Sequence, residues 1–306
     1  MPAPNTVYEV TCRTVQSRFL LKPSKTLNTL ILGVIGKALS LFDVNIHLFV
    51  VVSNHMHLLI SAESFSLLSR FMCHLNSNIA REAGRLHSWR EKFWGRRFSA
   101  IPILDDESII NRARYLISHG CKEGLVLRPG DWPGVNCIAA LTKGTPLIGR
   151  WINRSRMYTD GLKPSGVRAE FAYVTEYKVM LAPLPIWSDL TESARQEKWR
   201  QLADGVIAET KKRHEKENTN VLGVNAIFSQ DPHSVPVKTS RSPRPFCHTV
   251  RKVLEKEYRE GYRAFVGMYR EAFGSLLSGH LKSLKQFPED CYIPPFAYRA
   301  RDLAPG

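Results

Sequence analysis

Two apolar runs separated by only two residues dominate the first third of this sequence. Val44–Val52 is rich in β-branched and aromatic residues, and a similar run at 55–61 follows directly after Ser53 and Asn54. Two such runs joined by two polar turn residues predict a β-hairpin, because a short loop of this kind closes an antiparallel pair of strands.

The segments on either side of the hairpin alternate between helix and strand patterns. Apolar residues recur at helical spacing in 27–38 and in 66–86, whereas 8–21 and 98–104 have a strand pattern. An acidic helix start at 105–108 suits the positive end of a helix dipole and begins a third helix. The order β-α-β-β-α-β-α predicts an α+β fold with an antiparallel sheet and helices packed on one face.

The pattern changes in the rest of the chain, where Pro, Gly and Trp become frequent. Charged helical stretches occur at about 191–216 and 251–278, and the segment between them at 230–245 is rich in Pro, Ser and basic residues. We therefore predict a first domain at 1–145 and a mainly helical carboxy-terminal extension at 146–306. The segment at 230–245 is predicted to be a flexible linker within that extension.

The charge balance restricts the kind of partner. The 306 residues contain 43 Lys and Arg against 28 Asp and Glu, a formal net charge of +15. Such an excess favours a polyanion, either nucleic acid or an anionic membrane surface. The longest apolar stretch, 27–42, is interrupted by Lys37 and is short for a membrane span, and no secretion signal is recognised. We therefore expect a nucleic acid partner, no membrane, and a cytoplasmic location, which the widely spaced cysteines also favour.

His55 and His57 lie two residues apart on the second strand of the predicted hairpin. Side chains alternate across a strand, so both imidazoles face the same side and can meet one metal ion. Met56 faces the other side, into apolar packing. A His-x-His pair also occurs by chance, and half-buried strand histidines are common, so the pair needs support from elsewhere in the chain.

Tyr115 and His119 lie four residues apart near the end of the third predicted helix. Residues at this spacing share one helix face, which presents a phenol and a third imidazole together. If they meet the His-x-His pair, a metal ion can polarise a phosphodiester while the tyrosine attacks it and forms a covalent phosphotyrosine link. Taken singly, Tyr115 also fits an ordinary amphipathic helix, and His119 fits a residue that interacts with the helix dipole.

Four short motifs follow one another in this part of the chain. They are VVSNHMHLL at 51–59, FWGRRF at 93–98, RYLISHGCKEGLV at 114–126 and PGDWP at 129–133. In order and spacing they resemble the signatures of the single-tyrosine HUH transposases, particularly the branch associated with repetitive extragenic palindromes (REP). The resemblance covers roughly 7–141, a little under half of the chain.

The resemblance implies a ferredoxin-like HUH endonuclease domain that cleaves and rejoins single-stranded or hairpin DNA through a 5′-phosphotyrosine. It implies Tyr115 as the nucleophile and a divalent metal, Mg²⁺ or Mn²⁺, held by His55, His57 and His119. The chain departs from the family at His119, which stands where an Asn-Pro pair usually begins. A third imidazole shifts the preference from Mg²⁺ toward Mn²⁺ or Zn²⁺. Glu123 is a further candidate ligand, which we rank below His119 because it is out of helical phase with Tyr115.

The same region contains candidate DNA contacts. We predict that Trp94 stacks on an unpaired base, as aromatic residues do in proteins that bind single strands. The predicted phosphate contacts are Arg96, Arg97, Arg112 and Arg114. In the alternative interpretation Trp94 belongs to the core and the arginines form a solvated face.

Three functional hypotheses follow from these residues. The first is a bacterial DNA transposase or a domesticated relative, nucleoid-associated when bound to DNA, with a homodimer left open. The second is a DNA-binding regulator that keeps the fold and has lost catalysis. The third is a zinc-dependent hydrolase in which a metal-bound water replaces the tyrosine. The intact His-x-His pair and Tyr115 favour the first.

Overall fold

The computed structural model describes residues 3–161, 169–237, 244–278 and 286–293. The strands are β1 Val7–Arg13, β2 Val44–Val52, β3 His55–Ala62, β4 Ser99–Pro102, β5 Leu147–Ile152 and β6 Val174–Val179. The helices are α1 Lys25–Leu39, α2 Phe65–Leu86, α3 Asp106–Ile117, α4 Ile138–Lys143, α5 Arg154–Gly161, α6 Glu192–Glu217, α7 Val224–Ser229 and α8 Lys252–Leu277.

The first four strands form one antiparallel sheet in the order β2-β3-β1-β4. Together with the chain order β1-α1-β2-β3-α2-β4, this is the ferredoxin-like arrangement that the resemblance implied. The predicted hairpin forms with the expected turn, since Val52 pairs with His55 across Ser53 and Asn54. The strand β4 lies at one edge of the sheet and is shorter than the sequence pattern predicted.

Polar side chains at the helix starts explain where three of the helices begin. The hydroxyl of Ser24 accepts a hydrogen bond from the backbone of Leu27 at the start of α1, and Ser64 does the same for α2. The carboxylate of Asp105 accepts one from the Ser108 amide at 2.7 Å. Such caps satisfy backbone donors that the first turn leaves free.

The two faces of the sheet are covered differently. Cys12 and Met56 are register partners, and the thiol of Cys12 contacts Asn76 of α2, so α1 and its neighbour α2 cover this face, as predicted. On the other face, Glu9 lies 2.6 Å from Arg112 of α3. The third helix therefore packs on the opposite side of the sheet, next to the histidine-bearing face of β3.

The carboxy-terminal extension is mainly helical, as expected, but it also contains an antiparallel hairpin of β5 and β6. This hairpin packs on α1 through two glycines. A Cβ atom at Gly33 would lie 2.2 Å from the backbone of Arg150, and one at Gly149 would lie 2.0 Å from the backbone nitrogen of Gly33. Only glycine allows the two backbones to approach this closely, so α1 is packed between the sheet and the hairpin.

The long helix α6 packs on α3 and α4. The predicted linker at 230–245 contains neither helix nor strand in 230–237 and 244–245, and its residues 238–243 lie outside the described ranges. The proposed domain division after residue 145 remains a prediction. Within the described part of the chain, no helix combines the length and apolar character needed to cross a membrane.

Candidate metal and nucleophile site

Three buried histidines converge on the face of the sheet that α3 covers. Their candidate ligand atoms all lie within 4.8 Å of one another. The rings of His55 and His57 on β3 have centroids 5.0 Å apart, and the ring of His119 stacks on His57 at 4.4 Å. The structure thus brings together the three imidazoles that the sequence motifs selected. His119 lies just beyond α3, which ends at Ile117, instead of within its last turn.

Each of these imidazoles has an oxygen partner at its Nδ1 atom. The partners are Asn54 Oδ1 at 2.6 Å from His55, Glu9 Oε1 at 3.0 Å and Thr11 Oγ1 at 3.1 Å from His57, and Glu123 Oε1 at 3.1 Å from His119. An acceptor at Nδ1 holds the proton there and leaves the lone pair of Nε2 for a metal ion. The donor set of the three histidines therefore fits a divalent cation, and Glu123 is the partner of His119.

The surroundings of the three imidazoles favour their neutral form. Burial, reinforced by the neighbouring imidazoles, lowers the pKa of His55 and His119 well below the usual value for histidine. Burial also lowers the pKa of His57, although the contact with Glu9 opposes this effect. Neutral imidazole is the form that binds metal ions, so the site requires no deprotonation at neutral pH.

The ring of Tyr115 lies beside this cluster. Its centroid is 5.1 Å from that of His119 and 6.0 Å from that of His57. Two cations contact the same ring, with Lys122 Nζ at 3.6 Å and Arg112 Cζ at 3.9 Å from its centroid. The cation–π contacts hold the ring and surround the phenol with positive charge. All of these groups belong to one chain.

A buried carboxylate connects the histidine cluster to the tyrosine. Glu9 is 3% exposed, and its Oε1 accepts the hydrogen bond from His57. Its Oε2 lies 2.6 Å from Arg112 Nε and 2.8 Å from His248 Nε2, in ion-pair contacts that lack hydrogen-bond alignment. Since Arg112 also covers the ring of Tyr115, this one carboxylate links the candidate ligand to the group that positions the candidate nucleophile.

Glu9 is ionised in this environment. Burial acts to raise its pKa, but the contacts with His248, His57 and Arg112 outweigh burial and lower the pKa well below the usual range for a carboxyl group. We did not select this residue from the sequence. An acidic residue in the middle of the otherwise apolar strand β1 was the available signal, because charged residues are seldom buried without a partner.

The predicted DNA contacts fall into different environments. Arg112 lies in the site, whereas Arg114 forms an ion pair with Glu209 of α6 at 2.5 Å and is not brought to the histidines. Arg96 and Arg97 are exposed in the loop before β4. A further arginine that we had not selected, Arg13, ends β1 opposite His55 and lies close enough to Tyr115 for their charges to interact.

Trp94 is half-buried and packs within the protein. Its indole nitrogen donates a hydrogen bond to the carbonyl of Asn76 at 2.9 Å, and its ring meets Phe93 edge to face at 4.9 Å. This packing agrees with the alternative interpretation of Trp94 as a core residue. Its stacking on DNA remains a prediction.

The carboxy-terminal extension supports the loop that carries His119. The guanidinium of Arg213 on α6 donates hydrogen bonds to two carbonyls of this loop, at 2.6 Å to Cys121 and 3.0 Å to Lys122. Two backbone hydrogen bonds add to this support, from Leu222 to Gly124 at 2.8 Å and from Gly223 to Leu125 at 3.0 Å. Residues that contribute no ligand therefore hold the third imidazole in place.

The fold and the site define a class of domain in which a ferredoxin-like sheet presents a histidine cluster beside a helix-borne tyrosine. Residues 5–119 match the family model described as "Transposase IS200 like". The match confirms the resemblance seen in the motifs and supports a transposase role for this part of the chain. The match spans rather more than a third of the chain, so the extension lies outside it.

Two solved structures are similar to parts of this chain. One is a REP-associated tyrosine transposase bound to a REP hairpin, with 16% identity, 60% of this chain and 96% of that chain covered, and a TM-score of 0.38. The other is a presumptive transposase from Deinococcus radiodurans, with 12% identity, coverage of 37% and 90% respectively, and a TM-score of 0.29. No curated protein matches the sequence significantly.

Proposed function

We propose that this protein is a metal-dependent DNA transposase that cleaves and rejoins single-stranded or hairpin DNA, with Tyr115 as its nucleophile. The observation that carries the proposal is the position of the Tyr115 ring against His119 and His57, at 5.1 and 6.0 Å between centroids. The net charge of +15 supports a polyanionic substrate. Because all of these groups come from one chain, a single copy is enough to complete the proposed site.

In the proposed reaction the phenolic oxygen of Tyr115 attacks the scissile phosphorus. A bond forms between Oη and phosphorus, and the bond from phosphorus to the 3′ oxygen of the leaving strand breaks. The phenol loses its proton to solvent, and the departing 3′ oxygen takes up a proton to become a hydroxyl. The resulting 5′-phosphotyrosine conserves the energy of the phosphodiester, so a later attack by a 3′-hydroxyl can join the strands.

The surrounding residues have distinct roles in this proposal. A divalent cation on His55, His57 and His119 would supply a Lewis acid beside the phosphate. With three imidazole ligands we expect Mn²⁺ to serve better than Mg²⁺. Lys122 and Arg112 hold the phenol ring from their positions at 3.6 and 3.9 Å, and place positive charge where the phosphate oxygens arrive.

The test is the Tyr115→Phe variant incubated with hairpin DNA and Mn²⁺. We expect the covalent protein–DNA band on a denaturing gel to disappear, while DNA binding stays nearly unchanged because only the hydroxyl is lost. Tyr158→Phe is the matched control, since this tyrosine of α5 is 71% exposed and lies outside the site. It should give the wild-type band.

Two outcomes would contradict the proposal. Cleavage that persists in Tyr115→Phe would favour a hydrolase that uses a metal-bound water. Binding of hairpin DNA without any covalent band in the unmodified protein would favour a DNA-binding regulator that has lost catalysis.

A further inference from the structure

An open groove runs along the edge of the sheet, between β4 and α8. It encloses about 580 Å³, and one of its walls is the strand β4 itself. The other side is formed by the extension, with three aromatic residues and two arginines. They are Phe246, Tyr258, Tyr262, Arg244 and Arg259.

The aromatic residues of the groove form one cluster with an exposed end. The ring centroid of Phe246 lies 5.0 Å from that of Tyr258 and 4.9 Å from that of Tyr262. Arg259 Cζ lies 5.2 Å from the same Phe246 ring, and Tyr262 is 40% exposed. Exposed aromatic rings beside arginines are the arrangement on which unpaired bases stack, because every base has a π face.

The end of β1 and the loop before β4 connect the proposed cleavage site to the groove at the edge of the sheet. Arg13, at the end of β1, pairs with His55 on β3 and accepts a backbone hydrogen bond from Gly95 at 2.9 Å. The next residue is Arg96, and the chain then enters β4, which lines the groove. The strand β1 lies between the histidine strand β3 and β4, so the distance from β3 to β4 is two strand spacings, about 10 Å.

Three arginines lie between the two sites, and Glu123 offsets part of the charge of one of them, Arg13. Arg13, Arg96 and Arg244 lie close enough in space for each charge to affect the next. Within the described ranges, none of these three arginines forms an ion pair with a carboxylate. Like charges held close together repel one another, and a strand of phosphates relieves that repulsion.

We propose that this groove binds the unpaired DNA strand that flanks the scissile phosphate. Its phosphates run past Arg13, Arg96 and Arg244, and a base stacks on the exposed Tyr262 beside Phe246. This inference rests on the proposed function, since it assumes that single-stranded DNA is the substrate of the cleavage site. It assigns to the extension a role in substrate selection, namely a preference for hairpins that carry a single-stranded tail.

The test compares hairpin DNA with and without a single-stranded tail, placed at the 5′ or at the 3′ end. Binding is measured by fluorescence anisotropy on the full chain in the Tyr115→Phe background, so that cleavage does not alter the DNA. We expect a tail of one polarity to tighten binding. Tyr262→Ala and Arg244→Ala should each weaken the affinity for that tailed hairpin roughly tenfold, which corresponds to the loss of about one stacked base. Affinity for the tailless hairpin should not change.

The control variants match the chemistry of these substitutions. Tyr158→Ala removes another exposed tyrosine, and Arg81→Ala removes an exposed arginine of α2, which covers the opposite face of the sheet. Neither should affect the gain from the tail. Thermal unfolding of each variant shows whether it is folded, and Phe246 is left unchanged because both neighbouring rings pack on it.

A second measurement needs no substitution. A tail that contains 5-iododeoxyuridine should, on irradiation, crosslink the unmodified protein at Phe246, Tyr258 or Tyr262. Crosslinks elsewhere, the absence of any gain from either tail, or an equal loss of affinity for tailless hairpins would overturn the proposal and favour another occupant such as duplex DNA or a peptide. The two proposals fail separately: persistent cleavage by Tyr115→Phe refutes the nucleophile, whereas tail-independent binding refutes the groove.

Discussion

The first 123 residues and the carboxy-terminal extension contribute to this molecule in different ways. The earlier region contains the three histidines, the tyrosine and the cations that hold its ring. The extension contributes none of these groups, yet Arg213 holds the loop of His119 and His248 reaches the carboxylate of Glu9. The chemical groups and some of the residues that position them therefore belong to separate regions of one chain.

Removing a candidate ligand from the first region should have the largest effect. His57→Ala should abolish the rise in thermal unfolding temperature that Mn²⁺ gives the unmodified protein, because a cation stabilises the folded state only if it binds there. Changing a residue that supports a metal ligand usually lowers metal affinity or activity about 10–100-fold. Loss of the ligand itself should therefore reduce formation of the covalent product by at least about 100-fold. The measurements are melting curves with and without Mn²⁺ and the denaturing gel.

The matched control is His74→Ala, which removes a half-buried histidine of α2 on the other side of the sheet. It should keep the metal-dependent stabilisation. If His57→Ala kept it too, the histidine cluster would not be the metal site.

Glu9→Gln should have the next largest effect. The substitution keeps the size of the side chain and removes the charge that faces Arg112 and His248 at 2.6 and 2.8 Å. We expect the affinity for Mn²⁺ to fall about 10–100-fold, as is usual when the partner of a histidine ligand is changed. The unfolding free energy should fall by about 3 kcal/mol, because Arg112 then loses its counter-charge inside the protein.

Calorimetric titration with Mn²⁺ and urea unfolding measure these two effects. Glu176→Gln is the control, since this carboxylate also pairs with an arginine but is exposed on β6. A Glu9→Gln protein with unchanged metal affinity would show that the carboxylate serves stability alone.

A smaller effect is expected for Arg213→Ala, which tests the support that the extension gives to His119. Two hydrogen bonds from a charged donor to the carbonyls of Cys121 and Lys122 would be lost. We expect about 2 kcal/mol lower stability and a several-fold weaker affinity for Mn²⁺, because the loop with the third imidazole becomes less ordered. Lys211→Ala, at an exposed position of the same helix, is the control. An Arg213→Ala protein that binds Mn²⁺ normally would limit the role of the extension to the groove.

The fold of the first region could be predicted because its signals are local. Strand alternation, helical spacing and a two-residue turn each depend on neighbours in sequence, and together they specified the order of elements and the His-x-His face. The spacing of Tyr115 and His119 likewise depends on one helix and the residues that follow it. These groups meet in the structure as expected.

The features that the sequence did not predict depend on contacts between segments that are distant in the chain. The β5–β6 hairpin was missed because its position is determined by the close approach of Gly149 to Gly33 on α1. His248 reaches Glu9 only because its segment pairs with Ile103 at the end of β4. No local pattern around residue 248 indicates this pairing, so the sequence alone could not predict it.

The last and smallest effect concerns His47, which joins the extension to the sheet. Its Nδ1 donates a hydrogen bond to the carbonyl of Pro183 at 2.7 Å, and its Nε2 lies 3.1 Å from the hydroxyl of Ser61. Burial lowers the pKa of His47 below the usual value of about 6.5, although the contacts with Ala182 and Pro183 oppose this effect. The folded protein therefore keeps this imidazole neutral at a pH where the same imidazole is already protonated in the unfolded chain.

The sign of the pH dependence follows from this difference. The stabilisation from neutral His47 is complete above about pH 6.5 and is lost as the pH falls from there toward the lower pKa of the folded state, by at most about 1.4 kcal/mol per pH unit. His47→Gln keeps an amide donor and acceptor but cannot titrate, so its urea unfolding free energy should decrease less between pH 7.5 and 5.5 than that of the unmodified protein. The buried site histidines titrate in both proteins, so the difference isolates His47. Identical pH dependence in both would show that the attachment of the extension to the sheet does not depend on the charge of this residue.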